Sequence, residues 1–494
     1  MTSLKFGTSG LRGLVTELLG APAYAWTRAF CEAMRENGAG GAVMVGRDLR
    51  ASSPEIAALC IQAIADAGFA PVDCGAVPTP ALALAAMKAG APAVMVTGSH
   101  IPEDRNGLKF YRPDGEINKD DEERISAWQA RTAITHAPAV TARAAGHDAL
   151  TPYLDRYGAF FGPDALKGMT VGVYQHSSVG RDVMCDVLRA VGAMPVPLGR
   201  ASSFIPVDTE ALRPEDNALA RQWAAGQKLD AIVSTDGDAD RPLISDASGT
   251  FLRGDLVGAL SAMALGADAI VTPVTSNSAL EKLGQFRQVL RTRVGSPYVI
   301  EGMAIAKAAG ASLVVGFEAN GGVLLGGDVL RDGRRLPALP TRDAMLPILA
   351  CLDLAARRGR SLADLAADAR FYCALSNRLQ NVPQEKTAAL IARLDADDPA
   401  FRDAVFATRG GVVARDRRDG LRMTLGDGSI VHLRASGNAP ELRVYVEAQG
   451  RDEGEVLLHE GLGLCRRSKD IFDASNSNIL LTIYDVCNIN CEIT

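Results

Sequence analysis

Three times along this chain a short apolar run stops at a loop of small, chemically active residues. Residues 93–96 end at Thr97-Gly98-Ser99-His100-Ile101-Pro102, followed by Asn106-Gly107-Leu108-Lys109, which puts a serine, a histidine and a lysine in one loop. Ala231-Ile232-Val233 leads into Asp236-Gly237-Asp238-Ala239-Asp240-Arg241, and 312–316 leads into Phe317-Glu318-Ala319-Asn320-Gly321-Gly322. Short apolar runs bounded by turn residues read as buried strands. Open α/β sheets place their chemistry in loops at the C-terminal ends of such strands. That pattern constrains the fold to repeated α/β units.

The intervening sequence agrees. Segments 42–46, 71–74, 169–174, 195–198, 231–234 and 269–274 read as strands, and 53–68, 79–89, 180–191 and 298–309 as helices. Pro54 near the start and Gly68 at the end bracket the first helix, the usual asymmetry of helix ends. Strands alternating with amphipathic helices imply parallel or mixed sheets covered by helices. From about residue 371 the runs shorten (422–425, 429–433, 443–447), suggesting an α+β domain.

At 494 residues the chain is too long for one core. The expected domains are 1–148, 149–250, 251–370 and 371–467, the Thr/Ala/Gly-rich stretch 134–150 serving as a link. Residues 468–494 favour Asn, Ile, Ser and Asp, unlike the Ala-, Arg- and Gly-rich body, and are set outside the fold.

A net charge of −6 with mixed signs argues against a nucleic-acid partner. No apolar run is long enough to span a bilayer, and no leader pattern is visible. Nine cysteines without C-x-x-C spacing read as reduced thiols, so a cytoplasmic location is expected.

The Asp loop offers three carboxylates at alternate positions, suited to one hard cation such as Mg²⁺. An EF-hand is excluded, because Arg241 and Ala247 stand where its Gly and Glu belong. A solvated acidic turn fits the same residues. Ser99 lacks the G-x-S-x-G setting of a hydrolase nucleophile; it reads as a phosphate carrier or as a turn serine. Lys109 suits phosphate neutralisation or acid/base work, and equally a surface lysine. Glu318 in its Gly-rich loop can accept hydrogen bonds from sugar hydroxyls. Arg434-Ala435-Ser436-Gly437-Asn438, with Arg443 nearby, reads as a phosphate grip or as a β-turn with flanking arginine. Phe6-Gly7-Thr8-Ser9-Gly10-Leu11-Arg12-Gly13 is a further Gly/Ser loop without the Lys-Ser/Thr ending of a P-loop.

Taken in order, these five loops resemble the α-D-phosphohexomutase superfamily, from Phe6 to about residue 466. The resemblance implies three similar α/β domains with mixed sheets and a C-terminal α+β domain around a central cleft. It implies that Ser99 is a phosphoserine and that Asp236, Asp238 and Asp240 bind Mg²⁺ together with an oxygen of that phosphate. Arg12, His100, Lys109 and Arg241 would line the transfer site, Lys109 as the acid/base contributor. Glu318 and Asn320 would meet the sugar. Arg293, Arg434, Ser436, Gly437, Asn438 and Arg443 would hold substrate, mainly through the phosphate that is not reacting. The implied activity is a phosphomannomutase, with phosphoglucomutase activity alongside and a hexose 1,6-bisphosphate as intermediate and activator. A phosphoglucosamine mutase, a silent phosphosugar-binding protein and a metal-dependent phosphatase are the alternatives. The chain departs from the common pattern at Gly98 (often Ala), Ile101 (often Asn), Phe317 and Asn320 (often Gly and Ser), and Asn438-Ala439 (often Thr-Glu).

Overall fold

The structure is a computed structural model that describes residues 3–7, 10–131, 134–396, 406–436 and 441–467. Two compact units emerge. One comprises Met1–Val271, Gln285–Gln288 and Gly295–Asp368; the other Thr272–Gly284, Val289–Val294 and Ala369–Thr494. The atypical stretch 468–494 lies outside the described residues, as do Thr8, Ser9, Gly437 and Asn438.

In the first unit one construction recurs three times. A parallel strand runs into a loop, and the chain returns antiparallel beside it. The first sheet sets Ala42–Arg47 parallel to Ala70–Ala76 and to Ala93–Val96; Ala93–Val96 then pairs antiparallel with Arg105–Arg112, Val96 opposite Leu108. In the second, Thr170–His176 lies between Met194–Arg200 and Ala231–Thr235, all parallel. Pro242–Ser245 returns antiparallel, Thr235 opposite Pro242. In the third, Ala269–Pro273 and Val314–Phe317 are parallel and Val323–Leu325 returns, Phe317 opposite Val323. The serine, Asp and Glu318 loops are the three reversals. Each strand leading into one is buried throughout, as the unbroken apolar runs require of strands covered on both faces.

The helices form where their ends are marked. Ser53–Asp66 has Pro54 in its first turn, and Thr79–Ala89 is stopped by Gly90 in the left-handed region. Ala21–Glu36, Gly254–Leu265 and Met345–Arg358, not delimited by sequence reasoning, are also helices.

Three expectations about loops are corrected. Lys109 is not in the serine loop: Arg105–Arg112 is a strand paired on both sides, with Ala93–Val96 and with Leu11–Leu14. Arg12 lies on that second strand, opposite Gly107. Arg434 lies within the strand Ile430–Ala435, one residue before its end, rather than opening a loop. For Arg12 and Lys109 the pairing of two distant strands overrides a locally turn-like composition, and for Arg434 the ladder to Arg443 extends the strand into the expected loop.

The second unit contains an antiparallel sheet in the order Cys373–Gln380, Glu441–Ala448, Ile430–Ala435, Leu421–Leu425, Val412–Asp416. Its apolar face, including Leu379, Leu421, Leu433 and Val444, packs with Leu390, Leu394 and Leu457 of two helices. Among the described residues, no helix is long and apolar enough to cross a membrane.

Candidate active site

The first unit brings the serine and Asp loops into direct contact. Ser99 is fully buried, and its Oγ donates to Asp236 Oδ2 at 2.6 Å. His100 Nδ1 lies 3.2 Å from the same Oγ. Ser99 has φ +53, a conformation that costs a non-glycine residue about 1–2 kcal/mol. A single guanidinium holds the loop in that shape. Arg50 Nη1 donates to Pro102 O and Arg105 O at 2.8 and 3.1 Å, and Nη2 to Ser99 O and Ile101 O at 2.9 and 2.6 Å. Its Nε donates to buried Asp48 at 3.2 Å, and Asp48 also accepts from Thr97 Oγ1, which in turn accepts from Ser99 N.

The three aspartates are almost wholly buried, with one oxygen from each within 4.8 Å of the others. Asp236 Oδ1 accepts from the backbone of Asp240 and Arg241, which curls the loop around it. Lys109 Nζ reaches Asp238 Oδ2 at 2.5 Å and Asp240 Oδ2 at 2.6 Å; Thr79 Oγ1 also donates to Asp238 Oδ2 at 2.6 Å. The second oxygens, Asp238 Oδ1 and Asp240 Oδ1, are buried and make no hydrogen bond with any described residue. Buried carboxylate oxygens without donors suit a hard cation, so the residues present fit a divalent metal ion.

Cations surround this cluster. Arg241 Nε is 3.8 Å from Asp240 and 4.0 Å from Asp236. Burial pushes the Arg12 guanidinium down to about 10, helped by Arg241, and its buried Nε and Nη2 bond to no described residue. Burial, then Arg241 and Arg12, holds His100 well below the usual histidine range, so it is neutral near pH 7. Burial, then Asp238 and Asp240, pushes Asp236 up. Burial acts on Asp240 the same way, but Arg342, Lys109 and Arg241 outweigh it and hold that carboxyl below its ordinary value.

Glu318 and Asn320 are nearly buried in the third loop, with Asn320 Nδ2 3.4 Å from Glu318 Oε2. Three residues that sequence reasoning passed over complete the first unit's site: Arg50, Thr79 and Arg342. Arg342 is 2% exposed and bonds Glu318 and Asp240. Only burial distinguishes such an arginine from a surface one, and no local pattern encodes it.

In the second unit, Arg434 Nε donates to Asp419 Oδ2 at 2.8 Å, and the same oxygen accepts from Val294 N at 2.9 Å. Arg293 is exposed, its Nε on Arg418 O at 3.1 Å. Asp419 and Arg418 therefore bring Arg293 and Val294 to the strand of Arg434. Arg434 faces Arg443 across the ladder, and Arg443 faces Arg378 on the next strand. Carboxylates offset these facing charges: Arg434 is paired with Asp419, and Glu441 lies 3.2 Å from Arg378 and 3.6 Å from Arg443. Ser436 is buried, its backbone paired with Glu441; Gly437 and Asn438 lie outside the described residues.

A buried serine hydroxyl beside carboxylates that fit a hard cation, with guanidinium groups around them, suits phosphoryl transfer. Family descriptions match accordingly: "Phosphoglucomutase/phosphomannomutase, alpha/beta/alpha domain I" over residues 3–133, domain III over 253–371 and the C-terminal domain over 380–460. A protein of Sinorhizobium fredii named phosphomannomutase is 50% identical over 471 residues, 94% of this chain and 99% of that one. One of Salmonella muenchen with the same name is 42% identical, covering 92% and 93%. A phosphoglucosamine mutase of Acidothermus cellulolyticus is 31% identical, covering 90% and 92%. The chain belongs to the phosphoglucomutase/phosphomannomutase family of the α-D-phosphohexomutase superfamily. A solved structure of a family protein from Burkholderia thailandensis shares the fold, with TM-score 0.73 at 22% identity over 93% of this chain and 96% of that one.

Proposed function

We propose that this enzyme interconverts mannose 1-phosphate and mannose 6-phosphate, with glucose phosphates as further substrates, through phospho-Ser99 and a hexose 1,6-bisphosphate. The contact of Ser99 Oγ with Asp236 at the edge of the aspartate cluster carries the proposal. The two relatives named phosphomannomutase, alike over nearly their whole length, support the choice of sugar.

In the first half-reaction the free hydroxyl of a hexose 1-phosphate attacks the phosphorus on Ser99. The bond to Ser99 Oγ breaks as the bond to the sugar oxygen forms. The hydroxyl proton ends on Ser99 Oγ, which hydrogen-bonds Asp236 as it does here. Lys109 is assigned as the carrier of that proton, with His100, neutral and beside Oγ, orienting the serine. Arg12 and Arg241 meet charge on the equatorial phosphoryl oxygens. The bisphosphate then turns over and returns its other phosphate to Ser99.

Asp236, Asp238 and Asp240 would hold Mg²⁺, which supplies charge neutralisation at the transferring phosphoryl group when bound. Glu318 and Asn320 accept and orient sugar hydroxyls. Arg293, Arg434, Ser436, Gly437, Asn438 and Arg443 grip the phosphate that is not reacting. The opposed positions of Arg434 and Arg443 on neighbouring strands support that assignment.

The test is initial rates with mannose 1-phosphate, glucose 1-phosphate and glucosamine 1-phosphate, given Mg²⁺ and a trace of hexose 1,6-bisphosphate. Mannose 6-phosphate should form, and Ser99→Ala should abolish its formation. Exclusive use of glucosamine 1-phosphate would replace the reading with that of the 31%-identical relative. Release of inorganic phosphate without isomer exchange would refute a mutase.

A further inference from the structure

Arg342 is among the largest wholly buried side chains of the protein. It stands near the end of Leu339–Asp343, the strand beside Val323–Leu325 in the third sheet. Its Nη2 lies 3.0 Å from Asp240 Oδ2, and its Nη1 donates to Glu318 Oε2 at 3.1 Å. One planar guanidinium thus joins the metal-ligand loop to the sugar loop, although the two carboxylates are far apart in sequence. A lysine, with its compact ammonium, cannot reproduce a fork that spans two acceptors.

The effect on Glu318 is directional. Its Oε2 receives both Arg342 and Asn320 Nδ2, whereas Oε1 accepts no hydrogen bond from any described residue. A carboxylate with one oxygen pinned by two donors presents the other in a fixed direction. Asn320 is itself held by donation from Gly322 N to its Oδ1 at 3.0 Å. Gly322 makes room for the bridge: a Cβ there would lie 3.2 Å from Arg342 Cγ and Cδ and 2.9 Å from Asp240 O. Gly322 of the sugar loop therefore accommodates an arginine that comes from another strand.

We propose that Arg342 is a positioning residue, fixing Glu318 so that Oε1 meets the sugar hydroxyls at a set distance from the Asp240 loop. It acts through Glu318 and touches neither substrate nor the transferring group. The proposal rests on the phosphohexomutase reading above.

The experiment is a double-mutant cycle of Arg342→Met and Glu318→Gln, with Arg342→Lys added, measuring KM and kcat for the hexose phosphate that the wild type turns over. Calorimetric binding of that hexose phosphate is measured in parallel. Arg342→Met should raise KM and Kd by about tenfold or more while kcat stays within about threefold, the mark of lost ground-state positioning. Arg342→Lys should recover part of the affinity. In the Glu318→Gln background, Arg342→Met should change KM by less than about threefold, because the group it positions is already altered. An equal factor in both backgrounds, an unchanged KM in Arg342→Met, or a loss of kcat alone would overturn the proposal. If Arg342→Met fails to fold, the same cycle run with Arg342→Lys decides by the same criterion. A wild type that turns over and binds no hexose phosphate overturns the parent reading, and this one with it; an active wild type with an insensitive Arg342→Met overturns this one alone.

Discussion

Replacing Arg50 by lysine tests whether the serine loop is held in its reactive shape by one side chain. Arg50 and Asp48 are wholly buried, and the guanidinium serves four backbone carbonyls and the Asp48 carboxylate. It also lies over the Phe204 ring, 3.8 Å from its centroid. A lysine keeps the charge but brings three N–H donors, so at least two of five acceptors lose their partner. At about 1–3 kcal/mol for each buried group left unsatisfied, the loss is about 2–6 kcal/mol. Part of it is recovered by letting the loop relax, and the relaxation most at hand is Ser99 leaving its positive φ, which returns about 1–2 kcal/mol. Ser99 Oγ then no longer sits 2.6 Å from Asp236. Each 1.4 kcal/mol of lost alignment is about tenfold in rate. Arg50→Lys should therefore lower kcat by at least about tenfold and lower the melting temperature, with KM for the sugar phosphate little changed. The assay is coupled mutase turnover alongside a thermal melt. A variant with wild-type kcat and melting temperature would refute the claim that Arg50 holds the loop.

Gly254→Ala should damage the sugar loop, since a Cβ there lies 2.3 Å from Ala319 O and Gly321 N, backbone atoms that cannot swing away. Overpacking of about 1–3 kcal/mol and a raised KM are expected, read by urea unfolding and kinetics. Buried His176 and His432 are each pushed down to about 4 by desolvation. The unfolded chain, titrating near about 6.5, takes up more protons below that pH. Stability is thus full above about 6.5 and falls as pH drops toward about 4, by about 2 kcal/mol per histidine at about pH 5. His176→Gln should flatten that acid limb in urea titrations run from pH 7 to 4.5; an unaltered slope would count against the assignment. Chelation of divalent cations should cut turnover by at least about a hundredfold, with Mg²⁺ restoring it. Full activity after exhaustive chelation would contradict the reading of the aspartate cluster.

Much of the framework was legible in the chain. Residues 79–89 are a helix and 93–96 a strand, as their composition requires, because helix ends and apolar runs are signals carried within a few residues. The serine, Asp and Glu318 loops were legible for the same reason: each interrupts an apolar run with residues that have no place in a buried strand. Lys109 and Arg12 were visible as residue types but read as loop positions. Their two strands pair with each other across almost a hundred residues, and nothing local announces that pairing. Arg50 and Arg342 were invisible as parts of the site. An arginine is ordinarily a surface residue, and what makes these two different is burial against carboxylates and carbonyls from other loops. Residue types and strand-ending loops were determined by the sequence alone. Which charges meet, and which carboxylate oxygen is left open, was decided by tertiary packing, because buried ion pairs form between groups that only the closed fold brings within about 3 Å.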